Sequence, residues 1–150
     1  METERQHVIY SIGHSTHPKE EFIQILQQQR IQCLVDVRRF PTSKKHPQFA
    51  RENLAASLQQ VNIDYIWLGE LLGGFRTRGY EAYAETEAFK SGLEQLKDYG
   101  REKATAFMCA ELLFFRCHRR FIAEKLIEQG WKVVHIMDQG KLYEHRGGRR

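Results

Sequence analysis

Apolar positions along this chain come in two spacings that alternate. Val8-Ile9-Tyr10-Ser11-Ile12, Cys33-Leu34-Val35-Asp36-Val37, Asp64-Tyr65-Ile66-Trp67-Leu68, Ala104-Thr105-Ala106-Phe107-Met108 and Lys132-Val133-Val134-His135-Ile136-Met137 are short, largely apolar runs. Such runs predict strands buried on both faces. Between them apolar residues recur three and four apart: Phe22, Ile25 and Leu26, then Leu54, Leu58 and Val61, then Phe89, Leu93 and Leu96, then Phe121, Ile122, Leu126 and Ile127. Each set predicts one stripe of an amphipathic helix. Thr16, followed by Pro18, Glu20 and Glu21, predicts the first helix start, and Thr86 the third; a threonine can cap and acids suit the positive end of the dipole. The fourth helix is predicted over Cys117 to Gln129, with Gly130 as its stop.

Strand and helix in alternation predict an α/β fold, a Rossmann-like three-layer sandwich on a mostly parallel sheet of about five strands. Residues 1–150 read as one domain, with no internal repeat and no linker. Open parallel sheets bind ligands beyond the carboxyl ends of their strands. The pattern therefore nominates Gly13-His14-Ser15, Asp36 to Arg39, Gly69-Glu70, Cys109-Ala110-Glu111 and Asp138. Two segments read as loops over that edge: the basic stretch Arg38, Arg39, Lys44, Lys45 and His46, broken by Pro41 and Pro47, and the glycine- and arginine-rich stretch from Gly73 to Tyr80. The tail from Arg146 to Arg150 reads as mobile.

Composition narrows the class. With 150 residues, 41% of them hydrophobic, the chain can bury roughly 70% of its unfolded surface and needs no staple. A net charge of +4 permits an anionic partner without demanding nucleic acid. Cys33, Cys109 and Cys117 are odd in number and contain no CxxC pair, which argues against a zinc ribbon and for a reducing compartment. No stretch approaches the roughly 20 apolar residues of a membrane span, and the N-terminus lacks a signal-like apolar core. The expectation is a cytoplasmic protein with no membrane partner.

Candidate chemistry is densest from Met108 to Arg120, where a strand end runs into a helix start. First-turn amides of a helix attract anions, and Arg119 and Arg120 add planar cationic forks. Cys109 is either a nucleophile whose pKa is lowered by the helix and arginines or an inert buried thiol, and Cys117 has the same two readings. Cys33 reads as core. His14 follows the first strand as an acid/base candidate; Gly13 would let the chain pass close to a ligand, with Ser15 beside it as a binding candidate. Asp36 is either a catalytic carboxylate or the group that orients Arg38. The catalytic candidates are thus His14, Asp36, Cys109 and Glu111. The ligand-binding candidates are Ser15, Arg38, Glu70, Cys117, His118 and Arg119. His14, Cys109, Glu111 and His118 are ligand types that a divalent metal accepts, but they are scattered, so no metal or cofactor is assigned. Phe75, Arg76, Arg78, Tyr80 and Tyr83 interleave aromatics with arginines, as a base-stacking surface or a packed loop does.

Together these stretches resemble the DUF488 family of uncharacterised bacterial and archaeal proteins. The resemblance rests on Ile12-Gly13-His14-Ser15, Val35-Asp36-Val37-Arg38 with Pro41, Pro47-Gln48-Phe49, Tyr65, Leu68, Glu70, Gly73-Gly74, Met108-Cys109-Ala110-Glu111 and Cys117-His118-Arg119. It implies an α/β sandwich and no particular reaction. The link Leu112-Leu113-Phe114-Phe115-Arg116 departs from the polar link of the family and reads as a lid, a base-stacking wall or a partner contact such as a homodimer interface. A looser similarity is to rhodanese-type sulfur transferases and cysteine phosphatases, which also have an early Asp-Val-Arg strand end and a cysteine between a strand and an anion-binding helix. Here the loop after Cys109 lacks the glycines that wrap an anion in amides. The leading expectation is an enzyme acting on a phosphorylated ligand, a nucleotide or nucleic acid. The alternatives are sulfur transfer or phosphoester cleavage through Cys109, and a non-catalytic nucleic-acid-binding module.

Overall fold

The computed structural model describes residues 6–74, 76, 78–111, 114 and 117–147. The strands are β1 (Val8–Gly13), β2 (Cys33–Asp36), β3 (Asp64–Trp67), β4 (Thr105–Cys109), β5 (Lys132–Ile136) and β6 (Leu142–Glu144). The helices are α1 (Lys19–Gln28), α2 (Arg51–Gln59), α3 (Gly69–Leu72), α4 (Tyr80–Tyr83), α5 (Glu87–Glu102) and α6 (Arg119–Glu128). The five apolar runs are the five parallel strands, and the sheet order is β3-β2-β4-β1-β5-β6. β6 runs antiparallel to β5. It is a strand beyond those expected from the sequence. All three of its side chains are exposed, so it carries no apolar run to announce it.

Alternation along each strand divides the core between two apolar clusters. Ile9, Cys33, Val35, Phe107 and Val133 pack with Phe89, Leu93 and Leu96 of α5 and with Ile122 and Leu126 of α6. Ile12, Leu34, Ala106, Met108 and Ile136 pack with Phe22, Ile25 and Leu26 of α1 and with Leu54 and Leu58 of α2. Burying a leucine- or phenylalanine-sized side chain contributes about 1.5–3 kcal/mol, so the four stripes suffice to hold the helices on the sheet.

Several local expectations are corrected. Thr16 does not cap α1; Pro18 stands at its N-cap, and its carbonyl accepts from the Phe22 N–H (3.0 Å). Thr86 does cap α5, its Oγ1 accepting from the Phe89 N–H. Gly13 makes no turn: it lies in β1, in register with Cys109. The chain turns two residues later, where Ser15 takes a left-handed conformation (φ 49°), one that non-glycine residues seldom adopt. The glycine-rich connection after β3 holds two short helices, α3 and α4. Of the tail, Gly148 to Arg150 lie outside the described residues. Among the described residues no helix is long and apolar enough to cross a membrane.

Candidate functional site

β1 and β4 are neighbours in the centre of the sheet, yet their following helices pack in different apolar clusters. α1, after β1, packs in one apolar cluster, and α6, after β4, packs in the other. A crevice opens at the carboxyl ends of two such strands. The His14 N–H donates to the Cys109 carbonyl and the Ser15 N–H to the Ala110 carbonyl (both 2.9 Å), which ties the two strand ends together. A cleft of about 1110 Å³ lies there. His14, Ser15, Arg38, Cys109, Glu111, Cys117 and His118 all line it, as do Arg39, Lys44, Lys45, His46 and Arg120.

The β2 end supplies a rigid cation. Asp36 is fully buried and Arg38 nearly so. The Arg38 guanidinium donates through Nε to Asp36 Oδ1 (2.9 Å) and through an Nη to Oδ2 (2.7 Å), and its backbone N–H also reaches Oδ1 (3.0 Å). The Tyr65 hydroxyl donates to Oδ2 (2.5 Å). Both oxygens of Asp36 are thus engaged, and of its two sequence readings the geometry favours the one that orients Arg38. The other Arg38 Nη donates to His14 Nε2 (3.3 Å). Because arginine only donates, His14 carries its proton on Nδ1, which donates to the Ser15 carbonyl (2.9 Å). Burial, aided by the Arg38 charge, lowers the His14 pKa to about 4.

His118 is the second neutral imidazole. Its Nε2–H donates to the Val37 carbonyl (2.9 Å), which leaves Nδ1 without a proton. Nδ1 faces Gly74, where an added Cβ would stand 3.4 Å away. Burial lowers the His118 pKa to about 4 as well, with the Arg119 and Arg76 charges adding to it. A neutral imidazole with a basic nitrogen toward a cleft can accept a proton.

The cleft floor between β4 and α6 holds two thiols. Cys109 Sγ and Cys117 Sγ are 3.1 Å apart. Cys117 sits before the first turn of α6, next to the His118 N-cap, and accepts the Arg119 backbone N–H (3.3 Å). Hydrogen bonding from Cys109 outweighs burial and, with the Arg119 charge and N–H, lowers the Cys117 pKa to about 6. Burial pushes Cys109 the other way, well above an ordinary thiol. Within the pair Cys117 is the more acidic thiol.

Arg119 itself is only 1% exposed and does not line the cleft. Its guanidinium donates to Cys109 Sγ (3.0 Å), Ser11 Oγ (2.9 Å) and the Glu111 carbonyl (2.6 Å). Behind it runs a chain of side chains that sequence reading misses. Ser11 Oγ bonds His135 Nδ1, His135 Nε2 bonds His145 Nδ1 (2.8 Å), and His145 Nε2 bonds a Glu124 carboxylate oxygen (2.8 Å). Arginine only donates and a carboxylate only accepts, so every proton in the chain is assigned. Ser11 accepts from Arg119 and donates to His135, which donates to His145, which donates to Glu124. Phe114 stacks on His135 (centroids 3.7 Å apart), so it is packed rather than displayed; Leu112, Leu113, Phe115 and Arg116 lie outside the described residues, as does Phe75. The available signal was a serine and a histidine inside apolar strand runs, directly paired across β1 and β5.

The structure thus brings together nine of the nominated residues, seven on the cleft surface and Asp36 and Arg119 behind it. Glu70 is exposed on α3 and is not among the cleft residues. Among the described residues no three His, Cys, Asp or Glu side chains are grouped so as to hold a metal ion. The family described as "Domain of unknown function DUF488" matches residues 18–126. No curated protein and no solved structure matches.

Proposed function

This chain belongs to the DUF488 family, and for it we propose an enzyme that holds a phosphorylated ligand, a nucleotide or a nucleic-acid end, in the cleft at the carboxyl ends of β1, β2 and β4. The observation that carries the reading is the charge of the lining: among the described residues Arg38, Arg39, Lys44, Lys45 and Arg120 line the cleft with one carboxylate, Glu111, while Asp36 pairs with Arg38 from behind. Cations converging on a concave, partly desolvated surface recognise phosphate. A mere phosphate binder has no use for two neutral histidines, and His118 Nδ1 supplies the acceptor for proton transfer. The reading takes residues 1–150 as one cytoplasmic domain with a Rossmann-like three-layer architecture, in line with the apolar clusters on the two sheet faces.

The test is a thermal-shift panel of inorganic phosphate, nucleotides and short oligonucleotides, each with and without a divalent metal. Ligand at about a hundredfold over its Kd adds about 2.7 kcal/mol, which raises Tm by several degrees. The exposed pair Lys44→Glu with Lys45→Glu should abolish the shift without unfolding the protein. Absence of any shift with the phosphorylated probes refutes the reading. Arg119 is unsuited to this test because it is buried.

A second reading, sulfur transfer or phosphoester cleavage by a cysteine, is favoured by the thiol pair. In this reading Cys117, the more exposed of the two thiols, attacks in place of Cys109, so Cys117→Ser should lose turnover on thiosulfate or a phosphoester. The non-catalytic nucleic-acid module would use Phe40, which is 60% exposed, beside Arg39, Lys44 and Lys45. It predicts oligonucleotide binding that falls steeply with salt and is indifferent to His118→Ala.

A further inference from the structure

Two thiols in contact at the floor of an open cleft are more than one nucleophile needs. Cys109 Sγ stands 3.1 Å from Cys117 Sγ, close enough for the sulfurs to bond with a small movement. The two differ in access: Cys117 is half-buried and Cys109 is 2% exposed. An incoming electrophile therefore meets Cys117 first and Cys109 waits behind it. Arg119 Nε donates to Cys109 Sγ (3.0 Å), so a positive group is already in place for any charge that develops on the inner sulfur. Cys33 opens β2 on the other side of β4, in register with Thr105 rather than with the cleft end of the strand, and has no part in the pair.

We infer that Cys117 and Cys109 form a redox-active dithiol that reduces small anionic disulfides, with Cys117 attacking and Cys109 resolving. The Cys117 thiolate attacks one sulfur of the substrate. A Cys117–substrate S–S bond forms, the substrate S–S bond breaks, and the first thiolate leaves and takes a proton from solvent. Cys109 Sγ then attacks Cys117 Sγ. The intramolecular S–S bond forms, the mixed disulfide breaks, and the second thiolate leaves with the Cys109 proton. The protein is oxidised by two electrons and the disulfide is reduced to two thiols. Once Cys117 is in the mixed disulfide it no longer accepts the Cys109 proton, and the Arg119 contact remains to stabilise the Cys109 anion as it attacks. The cationic lining suits a disulfide that carries carboxylates. The dithiol stands apart from the phosphate reading, since it rests on the two sulfurs; only the preference for an anionic disulfide shares the cationic lining with that reading.

The experiment uses oxidised glutathione on the reduced full-length chain, followed by intact-mass analysis and thiol counting. Wild type is expected to lose two thiols and two hydrogens, with no retained adduct, and to release two equivalents of glutathione thiol. Cys109→Ser should stop at a stable glutathione adduct on Cys117, and Cys117→Ser should gain none. Iodoacetamide at neutral pH, with the sites mapped by peptide mass, gives a second reading on the unmutated protein: Cys117 should label before Cys109 and Cys33. Retention of both thiols in wild type would overturn the inference. So would an adduct on Cys117 that Cys109 fails to resolve, or labelling of Cys33 ahead of Cys117.

Discussion

The interior of this protein holds three histidines in their neutral form, and that makes a quantitative demand on its acid stability. Burial lowers His14 and His118 to about 4, and burial with the neighbouring His145 and Arg119 lowers His135 to about 2. In the unfolded chain each titrates near 6.5. Between pH 6.5 and 4 the unfolded state therefore binds protons that the native state does not, and stability falls as pH falls. Each histidine contributes roughly 2 kcal/mol of loss between pH 7 and pH 5, so the three together remove roughly 5–6 kcal/mol. That is a large part of the 5–15 kcal/mol typical of a whole domain. Most carboxylates remain ionised in this window, so the histidines dominate it. Urea denaturation at pH 7, 6 and 5 should show the midpoint dropping steeply, and the proton uptake on unfolding near pH 5.5 should approach three per chain. A midpoint that stays level from pH 7 to 5, or an uptake below one proton, would refute the neutral interior.

Three further expectations follow from single contacts. Arg119→Met removes the donor to the fully buried Ser11 Oγ, at about 1–3 kcal/mol; urea titration should record the loss, and an alkylation pH profile should move upward because the charge beside the thiols is gone. Tyr65→Phe strips one donor from buried Asp36 and should cost about 1–3 kcal/mol, read from the same denaturation assay. Gly69→Ala would put a Cβ 1.9 Å from the Arg38 carbonyl oxygen and 2.2 Å from Trp67 Nε1, against the 2.8 Å bond that joins those two atoms. The expected outcome is about 1–3 kcal/mol of destabilisation with a change in tryptophan fluorescence.

The sequence was legible wherever one burial pattern dictated one answer. The five apolar runs and the four stripes became strands and helices because each had a single way to bury itself. Its limits show at Cys117. Spacing puts the cysteine in the helix, whereas α6 starts at Arg119 after a His118 N-cap, and the sulfur meets the Arg119 N–H from outside the helix. Arg119 was read as a ligand-binding cation from its position at a helix start. Whether an arginine there faces solvent or interior depends on Ser11, nominated by no periodicity and brought beside it only when β1 enters the sheet. Ser11 and His135 stand out as polar residues inside apolar runs, but their union in a relay with His145 was illegible, since its members meet only through pairing of distant strands.

The placement of β1 also bears on how the chain assembles. Its partners are β4 and β5, so Tyr10 waits for Ala106 and Val134, whereas β2 finds β3 across one helix. The β2–β3 unit can pair locally, while β1 stays without a partner until β4 and β5 are in place. Loop closure over such separations is slow relative to local pairing. The cleft, its thiols and the histidines behind them therefore depend on the long-range pairing of β1 with β4 and β5.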